Sequence, residues 1–110
     1  MKSTTLKENK DFRRAYYRGK SEAGSALVTY AVKSRLPYSR VGITSGKKIG
    51  NAVKRNRARR LIRAAFSQYE DRLGGSFDIV FVARTHTTEV KMQTVAAQME
   101  AQLKKLGMLD

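Results

Sequence analysis

The 110-residue sequence has no cysteine, one proline and one histidine, and it carries no acidic residue between Glu22 and Glu70. Absence of cysteine excludes disulfides, thiolate zinc sites and a cysteine nucleophile, and it fits an intracellular protein. The lone histidine, His86, stands in the polar stretch RTHTTE with no evident partners for a metal site or a histidine-centred triad, and reads as a surface loop. Carboxylates are scattered, Glu70-Asp71 being the only adjacent pair, so a nuclease centre of clustered acids holding two metal ions is not supported. No run approaches the roughly 18 apolar residues of a membrane span, and MKSTTLKENKDF lacks an apolar core of signal-peptide length. A soluble, cytoplasmic protein without a membrane partner is the expectation.

What is present is positive charge on a chain with enough apolar residues to fold. Lys plus Arg number 23 against 9 Asp plus Glu, for a formal net charge of +14, while 41% of residues are hydrophobic. A single domain spanning residues 1–110 with a modest core is expected, carrying a field that suits a polyanionic partner. Eleven cations fall in the acid-free span: Lys33, Arg35, Arg40, Lys47, Lys48, Lys54, Arg55, Arg57, Arg59, Arg60 and Arg63.

Spacing predicts a short helix capped by Asn9, with Phe12, Ala15 and Tyr16 on one face and Gly19 as its stop. Ser21 to Ser25 reads as a turn, and Ala26 to Lys33 and Arg40 to Thr44 as strands whose tight connection predicts an antiparallel pair. From Asn51 the period becomes helical. Ala58, Leu61, Ile62, Ala65, Phe66 and Tyr69 form one apolar stripe, Asn56, Arg60 and Arg63 project oppositely, and Arg57 and Arg59 flank them. Lys54 and Arg55 fall toward the apolar side, which predicts that the first helical turn overhangs a cleft. Phe77 to Ala83 is apolar enough to be an interior strand. A last helix is expected after Thr88, with Glu89 in its first turn, a stripe of Met92, Val95, Met99, Leu103 and Leu106, and Gly107 as its end. The order implies an α+β fold, helices packed on a small sheet.

A solvated helix face normally alternates acids with bases, because like charges at i, i+4 destabilise a helix by a few tenths of a kcal/mol per pair. Here Arg55 with Arg59, and Arg59 or Arg60 with Arg63, repel with no acid in reach, which points to phosphates of a nucleic acid as the missing counter-charge. Five arginines to one lysine favour forked, stackable contacts with phosphates and exposed bases. The preceding turn, Gly46-Lys47-Lys48-Ile49-Gly50-Asn51, is not a P-loop, since Gly50 is followed by Asn51-Ala52 rather than Lys-Ser/Thr. Free N–H groups at the helix start could still seat a phosphate, or the segment could be a plain strand-to-helix turn. Phe12, Tyr16 and Tyr30 are either core residues or, if the sheet is uncovered there, a stacking platform for single-stranded RNA.

Lys47-Lys48-Ile49-Gly50-Asn51-Ala52-Val53, Arg55-Asn56-Arg57 and Arg60-Leu61-Ile62-Arg63 together resemble the arginine-asparagine-arginine signature of the protein subunit of bacterial ribonuclease P. Leu6 to Tyr16, Tyr30, Arg40-Val41-Gly42, Asp78-Ile79-Val80 and Ala83-Arg84 extend the similarity over nearly the whole chain. The resemblance implies an α/β sandwich like ribosomal S5 domain 2, with a left-handed βαβ crossover. It implies partnership with a catalytic RNA subunit that removes 5′ leaders from precursor tRNA, RNA doing the chemistry with Mg2+ held mainly by RNA, and no catalytic or metal-binding protein residue. By position, Lys47, Lys48, Asn51, Arg55, Asn56, Arg57, Arg59, Arg60 and Arg63 would meet the catalytic RNA, and Phe12, Tyr16 and Tyr30 the leader. Gly46, where similar proteins often carry serine, and Lys54, where an apolar residue is common, depart from the pattern. Three other readings compete: a ribosomal or nucleoid protein, a protein-only nuclease, and a membrane- or partner-binding helix over Asn51 to Tyr69. The nuclease lacks a carboxylate and histidine cluster, and the binding helix would need the stripe that the core requires.

Overall fold

The computed structural model describes residues 3–109. In chain order the elements are β1 (Thr4–Thr5), α1 (Asn9–Arg18), β2 (Lys20–Ala23), β3 (Leu27–Lys33), β4 (Arg40–Thr44), α2 (Ala52–Phe66), β5 (Phe77–Ala83) and α3 (Met92–Lys105). The strands form one mixed sheet in the order β1-β4-β5-β3-β2. The α+β expectation holds, with α1 on one face of the sheet and α2 and α3 on the other.

The apolar run of β5 explains its central place. Ile79, Phe81 and Ala83 face the main core with Leu27 and Ala31 of β3, Ala58, Ile62, Ala65 and Phe66 of α2, and Val95, Met99 and Leu103 of α3. Phe66 and Phe81 meet at a ring-centroid distance of 5.3 Å, and burial of such a ring contributes about 1.5–3 kcal/mol. Asp78, Val80 and Val82 alternate onto the face that α1 partly covers, so both sides of β5 need partners.

This corrects the expected pairing of β3 with β4. β5 lies between them, antiparallel to β3 and parallel to β4. Their connection crosses the start of β5, where the Ser34 N–H donates to the Ser76 carbonyl (3.0 Å) and the Phe77 N–H to Ser39 Oγ (2.9 Å). The turn expected over Ser21 to Ser25 is overlapped by β2, which runs to Ala23 as an exposed edge strand paired with β3. Asn9 is the first residue of α1 rather than its cap; Glu8 occupies that position without a side-chain bond.

Handedness follows from one residue. The Val41 carbonyl accepts from the Leu6 N–H (2.9 Å), so β1 lies on the N–H and C=O side of Val41, whose side chain packs on the core beneath α2. For an L-residue this puts β5 to the left of β4 when the strands point up and α2 faces the viewer. The parallel β4–α2–β5 crossover is therefore left-handed, the rare hand.

α3 begins later than the spacing predicts, because Thr85–Glu89 forms a 3-10 turn. Buried Thr87 holds that turn, its Oγ1 accepting from the Arg84 N–H (2.8 Å) and donating to the Ala26 carbonyl (2.6 Å). Gln102 docks α3 on the sheet, donating to the Leu27 carbonyl (2.8 Å) and accepting from Thr29 Oγ1 (2.7 Å). At Gly107 the helix stops as predicted, the Gly107 N–H bonding Lys104 and the Met108 N–H bonding Leu103.

Candidate nucleic-acid interface

α1 covers only part of its sheet face, and the uncovered part becomes a cleft. Ala15 is fully buried and anchors the helix. Phe12 sits over Gly42, where a β-carbon would lie 2.5 Å from two ring atoms, so only glycine admits the ring. Tyr16 meets Tyr30 edge to face at 4.9 Å between centroids and remains 36% exposed. Phe12 and Tyr30 are half-buried. The structure thus brings the three aromatics together on the incompletely covered face of the sheet, outside the main core.

The cleft beside them has a volume of about 850 Å³. Phe12, Arg13 and Tyr16 of α1 form one wall, Gly42 to Gly46 with Val82 the floor, and Arg59 and Arg63 of α2 the opposite wall. β1 ends at Thr5, two residues into its pairing with β4, which leaves the later part of β4 open to this space. One wall is aromatic and the other cationic.

What fixes α1 above the sheet was not legible as a network in the sequence. Asp78 is fully buried and accepts from Arg40 Nη2 (2.8 Å) and Nε (3.0 Å) on β4 and from Arg14 Nη1 (3.2 Å) on α1. Arg40 also reaches Asp11 of α1 at 3.2 and 3.3 Å, and Arg14 donates to the Lys33 carbonyl (2.9 Å). The bond to Asp78 is the largest influence holding the Arg40 guanidinium pKa above its ordinary value. An acid inside the apolar run FDIVFVA was the available signal, since a buried carboxylate requires cationic partners.

Lys47 and Lys48 are exposed on a 3-10 turn whose Ile49 is buried as its anchor. Gly50, at φ 132°, occupies backbone space that disfavours a side chain. Asn51 caps α2, its side chain accepting from the Lys54 N–H (3.0 Å). The phosphate seat is smaller than expected: the Ile49 and Gly50 N–H groups bond Gly46 and Lys47, and that of Lys54 is committed to the cap.

Lys54 is exposed and Arg55 half-buried, so neither is driven into the core. The overhang needs correction, because the α2 cations lining the cleft are Arg59 and Arg63. Arg63, read as opposite the apolar stripe, turns toward the cleft because the short β1 leaves that side of α2 uncovered. Arg59 Nε donates to Ser45 Oγ (2.9 Å), tying the helix to the cleft floor. Asn56, Arg57 and Arg60 are exposed. Among the described residues, no cation of α2 or of its lead-in has a carboxylate within 4.0 Å.

His86 is exposed near Glu89 (3.7 Å), and among the described residues no three acids, histidines or cysteines are grouped to hold a metal. No helix among them is long and apolar enough to cross a membrane.

Comparison with known proteins places these features in a family. Residues 1–107 match the sequence model described as Ribonuclease P. The ribonuclease P protein component of Alkaliphilus metalliredigens is 36% identical over 105 residues, covering 96% of this chain and 95% of its own length. That of Clostridioides difficile is 42% identical over 91 residues, covering 82% and 80%. Among solved structures, the RNase P protein of Staphylococcus aureus superposes with a TM-score of 0.86 at 31% identity, covering 99% of this chain and all of that one. The Thermotoga maritima RNase P protein gives 0.77 at 30% identity over 93% and 94%.

Proposed function

Because this chain belongs to the ribonuclease P protein family, we propose that it is the cytoplasmic protein subunit of that endoribonuclease, acting as one RNA-binding domain. It joins the catalytic RNA and holds the 5′ leader of precursor tRNA while the RNA cuts the leader away. The observation that carries this reading is the cleft with an aromatic and a cationic wall, set against a helix whose exposed arginines have no carboxylate partner among the described residues.

Each part of the site has a physical task. Lys47, Lys48, Asn51, Arg55, Asn56, Arg57 and Arg60 face the catalytic RNA, where phosphates relieve the repulsion along α2. Arg59 and Arg63, facing the cleft, also screen the leader's phosphates, and Phe12, Tyr16 and Tyr30 offer ring surfaces to its unpaired bases. Bridging the two RNAs in this way lowers their mutual repulsion and positions the scissile bond. Asp11 and Asp78 are held by arginines and Glu70 accepts from the Ser3 N–H (2.7 Å), so this donor set does not fit a catalytic Mg2+ ion, and we assign the reaction's Mg2+ to RNA.

Reconstitution tests the reading: protein, candidate catalytic RNA and precursor tRNA are combined at low magnesium, omitting each in turn. Cleavage is expected only with protein and RNA together. Cutting by protein without RNA would establish a protein nuclease, and RNA binding with no effect on cleavage would leave a ribosomal or nucleoid role. Within the complex, Tyr16→Ala is expected to weaken precursor binding by about 1–3 kcal/mol, as for loss of a stacked base, with tRNA lacking a leader unaffected. Unchanged precursor affinity would remove Tyr16 from the site.

A further inference from the structure

Tyr17 is 83% exposed, more than the other exposed large hydrophobic residues among those described, Tyr16 at 36% and Val53 at 72%. It does not belong to the aromatic wall, since the edge-to-face pair with Tyr30 is made by Tyr16. At about 100° per residue, Tyr17 lies next to Arg13, one turn earlier, and Lys10, two turns earlier, on the outward side of α1. Arg13 also lines the cleft, so this ridge is the cleft's lip.

The cations on the lip remain available. Arg13 has no carboxylate partner among the described residues, and Lys10 has only a loose contact with Glu8 (3.8 Å), both side chains about two-thirds exposed. Arg14, one turn before Tyr17, differs because Asp78 holds it. Over the roughly 10 Å of helix axis from Lys10 to Tyr17, an unpaired cation adjoins an exposed ring. That combination suits single-stranded RNA, whose phosphates take the cations while a base stacks on the ring.

We propose that the Lys10–Arg13–Tyr17 ridge is a second contact for single-stranded RNA, engaged by the portion of a precursor leader that runs beyond the cleft. The proposal rests on the reading that the cleft receives the leader. Continuity through Arg13 and the charge of the ridge favour the same strand over a separate partner. Leader binding then acquires a length dependence, short leaders filling the cleft and longer ones gaining the ridge.

The test uses the protein assembled with the catalytic RNA and a series of precursor tRNAs that differ only in leader length, with dissociation constants measured for Tyr17→Ala, Tyr17→Phe and Tyr16→Ala. Tyr17→Ala is expected to weaken long leaders about 5- to 10-fold and leave the shortest unchanged. Tyr17→Phe, which keeps the ring, should match the parent protein. Equal loss on short or absent leaders would place Tyr17 against the catalytic RNA or the tRNA body and overturn the proposal, as would no loss at any length. A silent Tyr16→Ala beside a length-dependent Tyr17→Ala would remove the cleft reading, and with it the ridge as a second contact, leaving the ridge as a leader site of its own.

Discussion

Replacing Asp78 with alanine is expected to destabilise the free protein by about 3 kcal/mol. The carboxylate is fully buried and is shared by Arg14 and Arg40, whose side chains are 19% and 20% exposed. Removing one partner of a buried ion pair typically costs about 3–5 kcal/mol, because the charge left behind is neither paired nor hydrated. The lower end applies here, since both guanidinium groups keep some access to water and Arg40 retains Asp11. For a domain of this size the loss corresponds to a fall in Tm of about 10–20 °C. Urea unfolding with an unchanged m-value measures it directly. A loss below about 1 kcal/mol would mean that the arginines turn into solvent without penalty and that α1 is held by packing alone. Asp78→Asn keeps an acceptor and should lose less. Because the network joins α1 to β4 and β5, the alanine variant should also loosen Phe12 and Tyr16 above the cleft.

A second large effect should appear in binding, with the opposite sign in stability. Changing Arg57, Arg59, Arg60 and Arg63 together to glutamine removes four cations that have no acidic partner among the described residues. If each releases its share of counterions, the slope of log affinity for the catalytic RNA against log salt should flatten by about 3, from a parent value steeper than about −3. At 0.1 M salt that is roughly a thousandfold weaker binding. The free protein should become more stable, by up to about 1 kcal/mol, because the like-charge pairs 55–59, 57–60, 60–63 and 59–63 disappear, offset in part by loss of the exposed Arg59–Ser45 hydrogen bond. Affinity and denaturation measured on the same preparation separate the outcomes. Retained salt dependence would place the contact surface elsewhere, and a drop in stability would show these arginines to be structural.

Local readings succeeded where a repeating side-chain spacing carries the information. The stripe of Ala58, Leu61, Ile62, Ala65, Phe66 and Tyr69 predicted an inner face, and all of it but half-buried Leu61 is buried; the apolar run of β5 predicted an interior strand, and β5 lies between β3 and β4. Readings of the site were partial for a different reason. Phe12, Tyr16 and Tyr30 could be named from the sequence, but whether they form core or surface depended on how much of the sheet α1 covers. Likewise helix geometry put Arg59 at a flank and Arg63 opposite the stripe, while the place of both on the cleft wall depended on how the neighbouring elements leave that side open.

By itself the sequence determined the charge, the periods of the helices and strands, and the acid-free, cationic character of α2, since each resides in the order of neighbouring residues. Only the tertiary structure decided that β5 separates β3 from β4, that β2 forms an edge, that the crossover is left-handed, and that Asp78 gathers two arginines from distant segments. These are choices among partners far apart in the chain, settled by which pairing buries both faces of the most apolar strand and leaves its one buried carboxylate neutralised. KKIGNAVKRNRARRLIRAAF specifies a basic amphipathic helix, but the cleft beside that helix exists because α1 and β1 stop short of covering the sheet.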